Sequence, residues 1–316
     1  MSRRDLLLHY YPREIVASDM TGIRDYIRAK APEIDVTLLP TDRMHPIAML
    51  NTLRRPTVSV ELGRAKRFRC LKGRHYRQWR STAKTDEYRI LEAAGIPIPD
   101  WSPITPESKF SVEDWGKYIV VKPNQGLRGA YVRVMRTGRV RYRDPESLNA
   151  DNPGRNGGLI AQHFIYTGRW PVSYRVSTLF GTPLAALRYE GKKDLPPVDG
   201  RDDFRKASGA SIVATATGCE ISLAFDEEIL DLARRTHAVF PNIPVLGIDI
   251  VRDADDGRLW VLETNPFANT WVLGSSGGRR IMAENNIDIY NQFNGLERAA
   301  EALVNLCRRT ETATPT

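Results

Sequence analysis

The segment Gly247–Asn265, GIDIVRDADDGRLWVLETN, leaves the chain few choices. Two apolar runs, Ile248 to Val251 and Leu259 to Leu262, flank Asp253, Asp255, Asp256 and Gly257, which is a hairpin pattern. Glu263 and Asn265 are two apart, so a strand presents both on one face. Pairing about Asp256 would set Asp249 opposite Glu263 on that same face. Two carboxylates and an amide oxygen would then converge, the hard ligands that Mg2+ takes while it holds nucleotide phosphates. The competing reading is a solvated hairpin, and against it stands the way the acids interrupt apolar runs instead of sitting at the turn. The turn acids do not make an EF-hand, because Gly257 arrives one residue early and the ligand alternation is missing. They read as turn formers.

A chain of 316 residues has room for two or three subdomains with a shared core. Its 41% hydrophobic and 27% charged residues are globular values. No apolar run approaches the roughly 20 residues of a membrane span, so no membrane partner is expected. Leu6 to Leu8, behind Arg3 and Arg4, is too short for a signal peptide and reads as a first strand. Three scattered cysteines, Cys70, Cys219 and Cys307, argue against a disulfide framework and for a reducing cytoplasm. The five histidines lack zinc-like spacing and read as surface or packing residues.

The net charge of +8 is uneven: Arg54 to Arg80 holds ten basic residues against one acid, Glu61. Such a block attracts phosphates, nucleic acid or acidic peptides, and a solvated basic face with no dedicated partner is an equal reading. No nucleic-acid-binding motif accompanies it.

Strand and helix signals alternate at the N-terminus: strand at Leu6 to Tyr10, helix at Asp19 to Lys30, strands at Ile34 to Leu39 and Thr57 to Leu62. The class is α/β (α+β), opening with a small α/β unit over 1–81. Gly63 to Arg80 reads as an irregular connection. A helix over Thr82 to Ala94 closes at Gly95, and Ile96-Pro97-Ile98-Pro99 leaves it extended. Tyr118 to Val134 reads as strand, glycine loop, strand, with Lys122 a point charge for phosphates beneath Gly126 and Gly129. Neither a P-loop nor a Rossmann glycine pattern is present. Strands follow at Leu159 to Ile165, Tyr174 to Phe180 and Leu184 to Tyr189. Next come a long loop, Glu190 to Thr217, and an amphipathic helix, Asp226 to Phe240. Gly274 to Gly278 reads as a flexible loop, before a last helix carrying Phe293, Leu296, Ala300, Leu303 and Cys307, and 311–316 as a frayed tail.

In order, these segments resemble the ATP-grasp superfamily from about Lys84 to Leu306. The resemblance is carried by Lys84 ahead of Gly95-Ile96-Pro97-Ile98-Pro99, and by Val120-Val121-Lys122-Pro123-Asn124-Gln125-Gly126. Gln162-His163-Phe164-Ile165 and the Asp249, Glu263, Asn265 triad complete it. The branch it is most similar to is that of glutathione synthetase and the ribosomal-protein glutamate ligases, through Arg188 and Phe204-Arg205. Ala207 and Ser208-Gly209-Ala210 depart from that branch's asparagine and glycine pair.

The resemblance implies a nucleotide held between two α+β subdomains, 82–160 with the glycine-rich lid and 161–310 with the triad. It implies ATP with Mg2+ or Mn2+ as cofactors. Lys84, Lys122, Gly126, Gly129, Gln162, His163, Phe164, Ile165 and Arg175 would bind the nucleotide, Asp249, Glu263 and Asn265 the metal, and Arg188 and Arg205 would serve catalysis. The activity implied is ATP-dependent ligation of a carboxylate to an amine through an acyl phosphate, on an amino acid or short peptide. A small-molecule kinase is one alternative. A nucleotide-binding or nucleic-acid-associated regulator using the basic 54–80 stretch, with an acidic or phosphorylated partner, is another. A homo-oligomer stays open.

Overall fold

The computed structural model describes residues 4–42, 45–51, 57–62, 73–77, 83–126, 129–192, 198, 200–202, 219–266 and 271–309. The N-terminal alternation is present as β1 (Arg4–Tyr10), α1 (Ala17–Lys30), β2 (Ile34–Pro40), α2 (Pro46–Asn51), β3 (Thr57–Glu61) and β4 (Gly73–Tyr76). These strands form one parallel sheet in the order β2-β1-β3-β4. β4 corrects the irregular connection expected over 63–80. Its four residues, GRHY, carry no apolar alternation, and pairing with β3 makes it a strand.

The central unit comprises α3 (Lys84–Ala93), β5 (Trp101–Pro103), α4 (Val112–Trp115), β6 (Tyr118–Pro123), β7 (Arg133–Arg136) and β8 (Leu159–His163). Its sheet is antiparallel, ordered β5-β8-β6-β7. The third sheet holds β9 (Val172–Leu179), β10 (Thr182–Gly191), β11 (Cys219–Leu223), β12 (Val245–Arg252) and β13 (Leu259–Asn265), with α5 (Glu227–Ala238) between β11 and β12. Its order is β11-β10-β9-β12-β13. The chain closes through α6 (Ser276–Asn285), α7 (Ile289–Gln292) and α8 (Gly295–Arg309). Among the described residues, no helix is long and apolar enough to cross a membrane.

The third sheet is apolar on both faces because it has two partners. On one face Leu179, Leu187 and Val245 join the core of α1, α8 and the N-terminal sheet. On the other, Val176, Ile248 and Ile250 pack with Ile229, Leu232 and Ala233 of α5 and with Tyr88 and Leu91 of α3. Buried Asp19 ties α1 to the C-terminal elements: Oδ2 accepts from Trp271 Nε1 (2.8 Å) and Gly274 N (2.9 Å), and Oδ1 from Tyr290 Oη (2.7 Å).

The expected glycine loop at 274–278 is also corrected. Ser275 caps α6 through Gly278 N (3.0 Å), and Gly277 and Gly278 lie in its first turn. A Cβ on Gly278 would stand 1.6 Å from the Val272 carbonyl oxygen, so the glycine serves close approach, not flexibility.

His237 sits between α5 and the sheet, 2% exposed, with Nδ1 2.6 Å from Thr178 Oγ1 and Nε2 donating to Ile243 O (2.9 Å). Burial lowers its pKa from 6.5 to about 4. Its neutral form is favoured by the fold, so the unfolded chain takes up the proton first on acidification. The associated stability is complete above about pH 6.5 and is lost as pH falls toward 4. We expect about 2 kcal/mol of unfolding free energy to be lost at this site between pH 7 and pH 5. Denaturant titrations of wild type and His237→Gln at both pH values should give a flatter pH dependence for the variant by that amount.

Candidate nucleotide and metal site

The hairpin register places the triad. Asp249 pairs with Glu263, as pairing about Asp256 predicts, and the register shifts between Asp249 and Ile250. Asp249 also pairs with Arg175 of β9, so Arg175, Asp249 and Glu263 form a row across three adjacent strands. Asn265 lies one rung along, opposite Gly247. Directly opposed residues share a sheet face, so the row is on one side.

Within the row Arg175 Nε donates to Asp249 Oδ1 and Nη2 to Oδ2, both at 2.6 Å. Asn265 Nδ2 donates to Asp249 Oδ2 at 3.1 Å. Lys84, the first residue of α3, reaches over edge strand β13, and its ammonium donates to Glu263 Oε2. Burial works to raise the Glu263 carboxyl, but Lys84 and Lys122 outweigh it and hold the pKa at about 2. Burial likewise opposes the Lys84 charge, and Glu263 and Glu87 override it, raising that pKa. For Arg175 the Asp249 carboxylate dominates and raises the pKa.

Among the described residues, no carboxylate contacts Lys122, which is buried on β6. Its Nζ donates to Gln162 Oε1 at 2.7 Å and stands 5.2 Å from the centre of the Tyr88 ring. Burial, then Lys84, lowers its pKa to about 7. Among the described residues no partner meets the buried Gln162 Nε2 in good hydrogen-bond geometry, although the Gln162 side chain lies close enough to the Tyr88 hydroxyl to act on it.

Two further side chains belong here. Glu87 is buried, accepts from Thr264 N through Oε1, and is raised by burial to about 7. It stands three residues after Lys84, on the same helix face, so its presence was readable in the chain. Tyr189 of β10 is buried near Arg175 and Asp249, and burial raises its phenol.

The other expected residues are placed as follows. Arg188 pairs with Tyr174 in the strand register, on the opposite sheet face from the row, and Nη1 donates to Glu190 Oε2 at 2.6 Å. His163 turns to Trp115 and comes within 3.8 Å of Asp100, while Phe164 packs with Tyr118 and Val134. Ile165 is half-buried just after β8. Gly126 and Gly129 lie between β6 and β7, with Gly129 at φ 66°. Arg205, and most of the basic 54–80 stretch, lie outside the described residues. Arg201 clamps the hairpin turn through Asp253 (2.7 Å) and Asp255 (2.8 Å), as befits turn-forming acids.

Among the described residues, no group of three or more His, Cys, Asp and Glu side chains converges as a metal site. The candidate here is two carboxylates plus an amide, an oxygen set that fits a hard divalent cation.

By sequence, no protein-family model and no curated protein matches the chain. By structure it is similar to D-cycloserine synthetase DcsG, at 16% identity and TM-score 0.52 over 97% of this chain and 99% of that one. It is similar to the ATP-grasp ligase PsnB complexed with minimal precursor, Mg and ADP, at 17% identity and TM-score 0.50 over 96% and 98%. The macrocyclase MdnC bound with precursor peptide MdnA, from Microcystis aeruginosa MRC, gives 13% identity and TM-score 0.50 over 95% and 99%.

The Glu87 contact predicts a specific asymmetry. Glu87→Gln keeps an acceptor for Thr264 N without a buried charge and should leave stability near wild type. Glu87→Ala orphans that amide and should cost about 1–3 kcal/mol, read by denaturant unfolding.

Proposed function

We propose that this chain, whose fold is that of the ATP-grasp ligases, is an ATP-dependent ligase that joins a carboxylate to an amine through an acyl phosphate. The observation that carries the reading is the convergence of Lys84 and Lys122 on the row that contains Asp249 and Glu263. Cations that fit phosphates and oxygens that fit a divalent metal thereby share one half-buried site.

Asp249, Glu263 and Asn265 would hold Mg2+, which offsets charge on the transferring phosphoryl when bound. Lys84 and Lys122 would orient the remaining phosphates, and the buried Gln162 amide would meet the nucleotide. The substrate carboxylate attacks the γ-phosphorus, the bond to ADP breaks, and the amine then attacks the acyl carbon with loss of phosphate. No enzyme nucleophile takes part. Positive charge toward the acyl phosphate would come from Arg175. Arg188, assigned that task by resemblance, faces the other core, and the likeness to the glutathione synthetase branch rests on it and on Phe204-Arg205. The precursor peptides named with PsnB and MdnC support including peptides among the acceptors.

The test is ADP release from purified protein with Mg-ATP and pools of amino acids and short peptides, with mass spectrometry of the products. An amide product is expected, and ADP with a stable phosphorylated product and no amide would assign a kinase instead. Glu263→Gln should abolish ATP turnover with the fold intact, and near-normal turnover would refute the metal assignment. In fluorescent-nucleotide titrations Lys122→Ala should weaken binding by about tenfold or more, while Arg188→Ala should stay within about twofold of wild type.

A further inference from the structure

Each acid of the triad is engaged by a cation of the chain itself. Asp249 is the more completely closed of the two. Both of its oxygens accept from the Arg175 fork at 2.6 Å, and Oδ2 accepts a third hydrogen bond from Asn265. The amide meant to offer oxygen to a metal thus presents its nitrogen to Asp249. Such a bidentate guanidinium–carboxylate pair is among the stronger polar contacts a protein makes.

A divalent cation arriving alone would have to break this fork. It would also leave the Arg175 guanidinium, 43% exposed at its side chain, beside a second positive charge. A cation arriving with polyphosphate faces neither obstacle, because phosphate oxygens offer the guanidinium an equivalent bidentate acceptor. Arg175 and Asp249 are opposed on paired strands, so a change of side-chain rotamer suffices for the exchange.

We propose that Arg175 is a latch that keeps Asp249 closed to a divalent cation until nucleotide phosphates take over its guanidinium. Resting on the metal-nucleotide reading of the site, the proposal gives Arg175, beside its contact with phosphate, the task of coupling metal binding to nucleotide binding. By linkage the coupling is reciprocal: metal tightens nucleotide by the same factor as nucleotide tightens metal.

The experiment measures Mn2+ binding to the full chain by the paramagnetic resonance signal of free Mn2+. It is run without nucleotide and with a non-hydrolysable ATP analogue, correcting for Mn2+ held by the analogue in solution. Wild type should bind Mn2+ weakly alone and strongly with the analogue. Arg175→Met should bind Mn2+ alone about tenfold more tightly and lose most of the coupling. Arg175→Lys, which keeps the charge and loses the fork, should fall between them. Arg188→Met removes the same charge from the opposite face and should behave as wild type. Thermal melting checks that each variant is folded. If wild type binds Mn2+ and analogue together but Arg175→Met and Arg175→Lys leave the metal-only affinity unchanged, the latch is overturned and the site reading stands. If wild type binds no Mn2+ with the analogue, or Glu263→Gln leaves Mn2+ binding intact, the site reading falls and the latch with it.

Discussion

The row Arg175, Asp249, Glu263 gathers charge where the sheet meets the central unit, and that sets the terms for everything around it. Carboxylates removed from water must be paired, and an unpaired one would titrate or unfold its surroundings. Asp249 is paired from β9, within its own sheet, while Glu263 is paired from α3, in another unit. The second pairing obliges α3 to begin where it does, with Lys84 as its first residue at the rim of β13.

That obligation is met by more than one contact. Tyr88 Oη donates to Leu262 O at 2.9 Å, Thr264 N to Glu87, and Val261 N to Pro97 O at 2.8 Å. Successive residues of the edge strand are therefore held by the helix and by the extended segment that leaves it. The prolines of Ile96-Pro97-Ile98-Pro99 keep that segment extended. An edge strand that would otherwise invite pairing with another chain is covered by its own. The same cover holds Glu263 of β13 close to Lys84, so the candidate site owes its geometry to the junction between two units.

Much of this was legible because strand parity is strict. Pairing about Asp256 gave the Asp249 to Glu263 register, and the irregularity falls just beyond that pair, between Asp249 and Ile250. Arg188 was assigned by resemblance and not by parity, and its register partner is Tyr174, on the face opposite the row. A motif match carries no face, whereas in a strand one residue of offset changes it, and Tyr189 lies on the side of the row. The glycines at 274–278 suggested flexibility because composition does not reveal that the Val272 carbonyl occupies the place of a Cβ. β4 was illegible for a different reason: its strand character lies in its partner β3 and not in its own four residues.

The two lysines show how one residue type takes opposite characters in a single site. Both are withdrawn from water, and for each that withdrawal is the largest influence on the charge. Lys84 touches a carboxylate and keeps its proton firmly. Among the described residues, Lys122 touches the oxygen of an amide and the face of a phenol ring, and the charge on Lys84 adds to its difficulty. An ammonium so placed has, among the described residues, no carboxylate in direct contact. Glu263, Glu87 and Asp249 act on Lys122 only through space and only partly offset its burial, because Glu263 is in direct contact with Lys84 and Asp249 with Arg175. The direct carboxylate contacts of the site thus go to one lysine and one arginine, and the second lysine is left with an amide oxygen and an aromatic face.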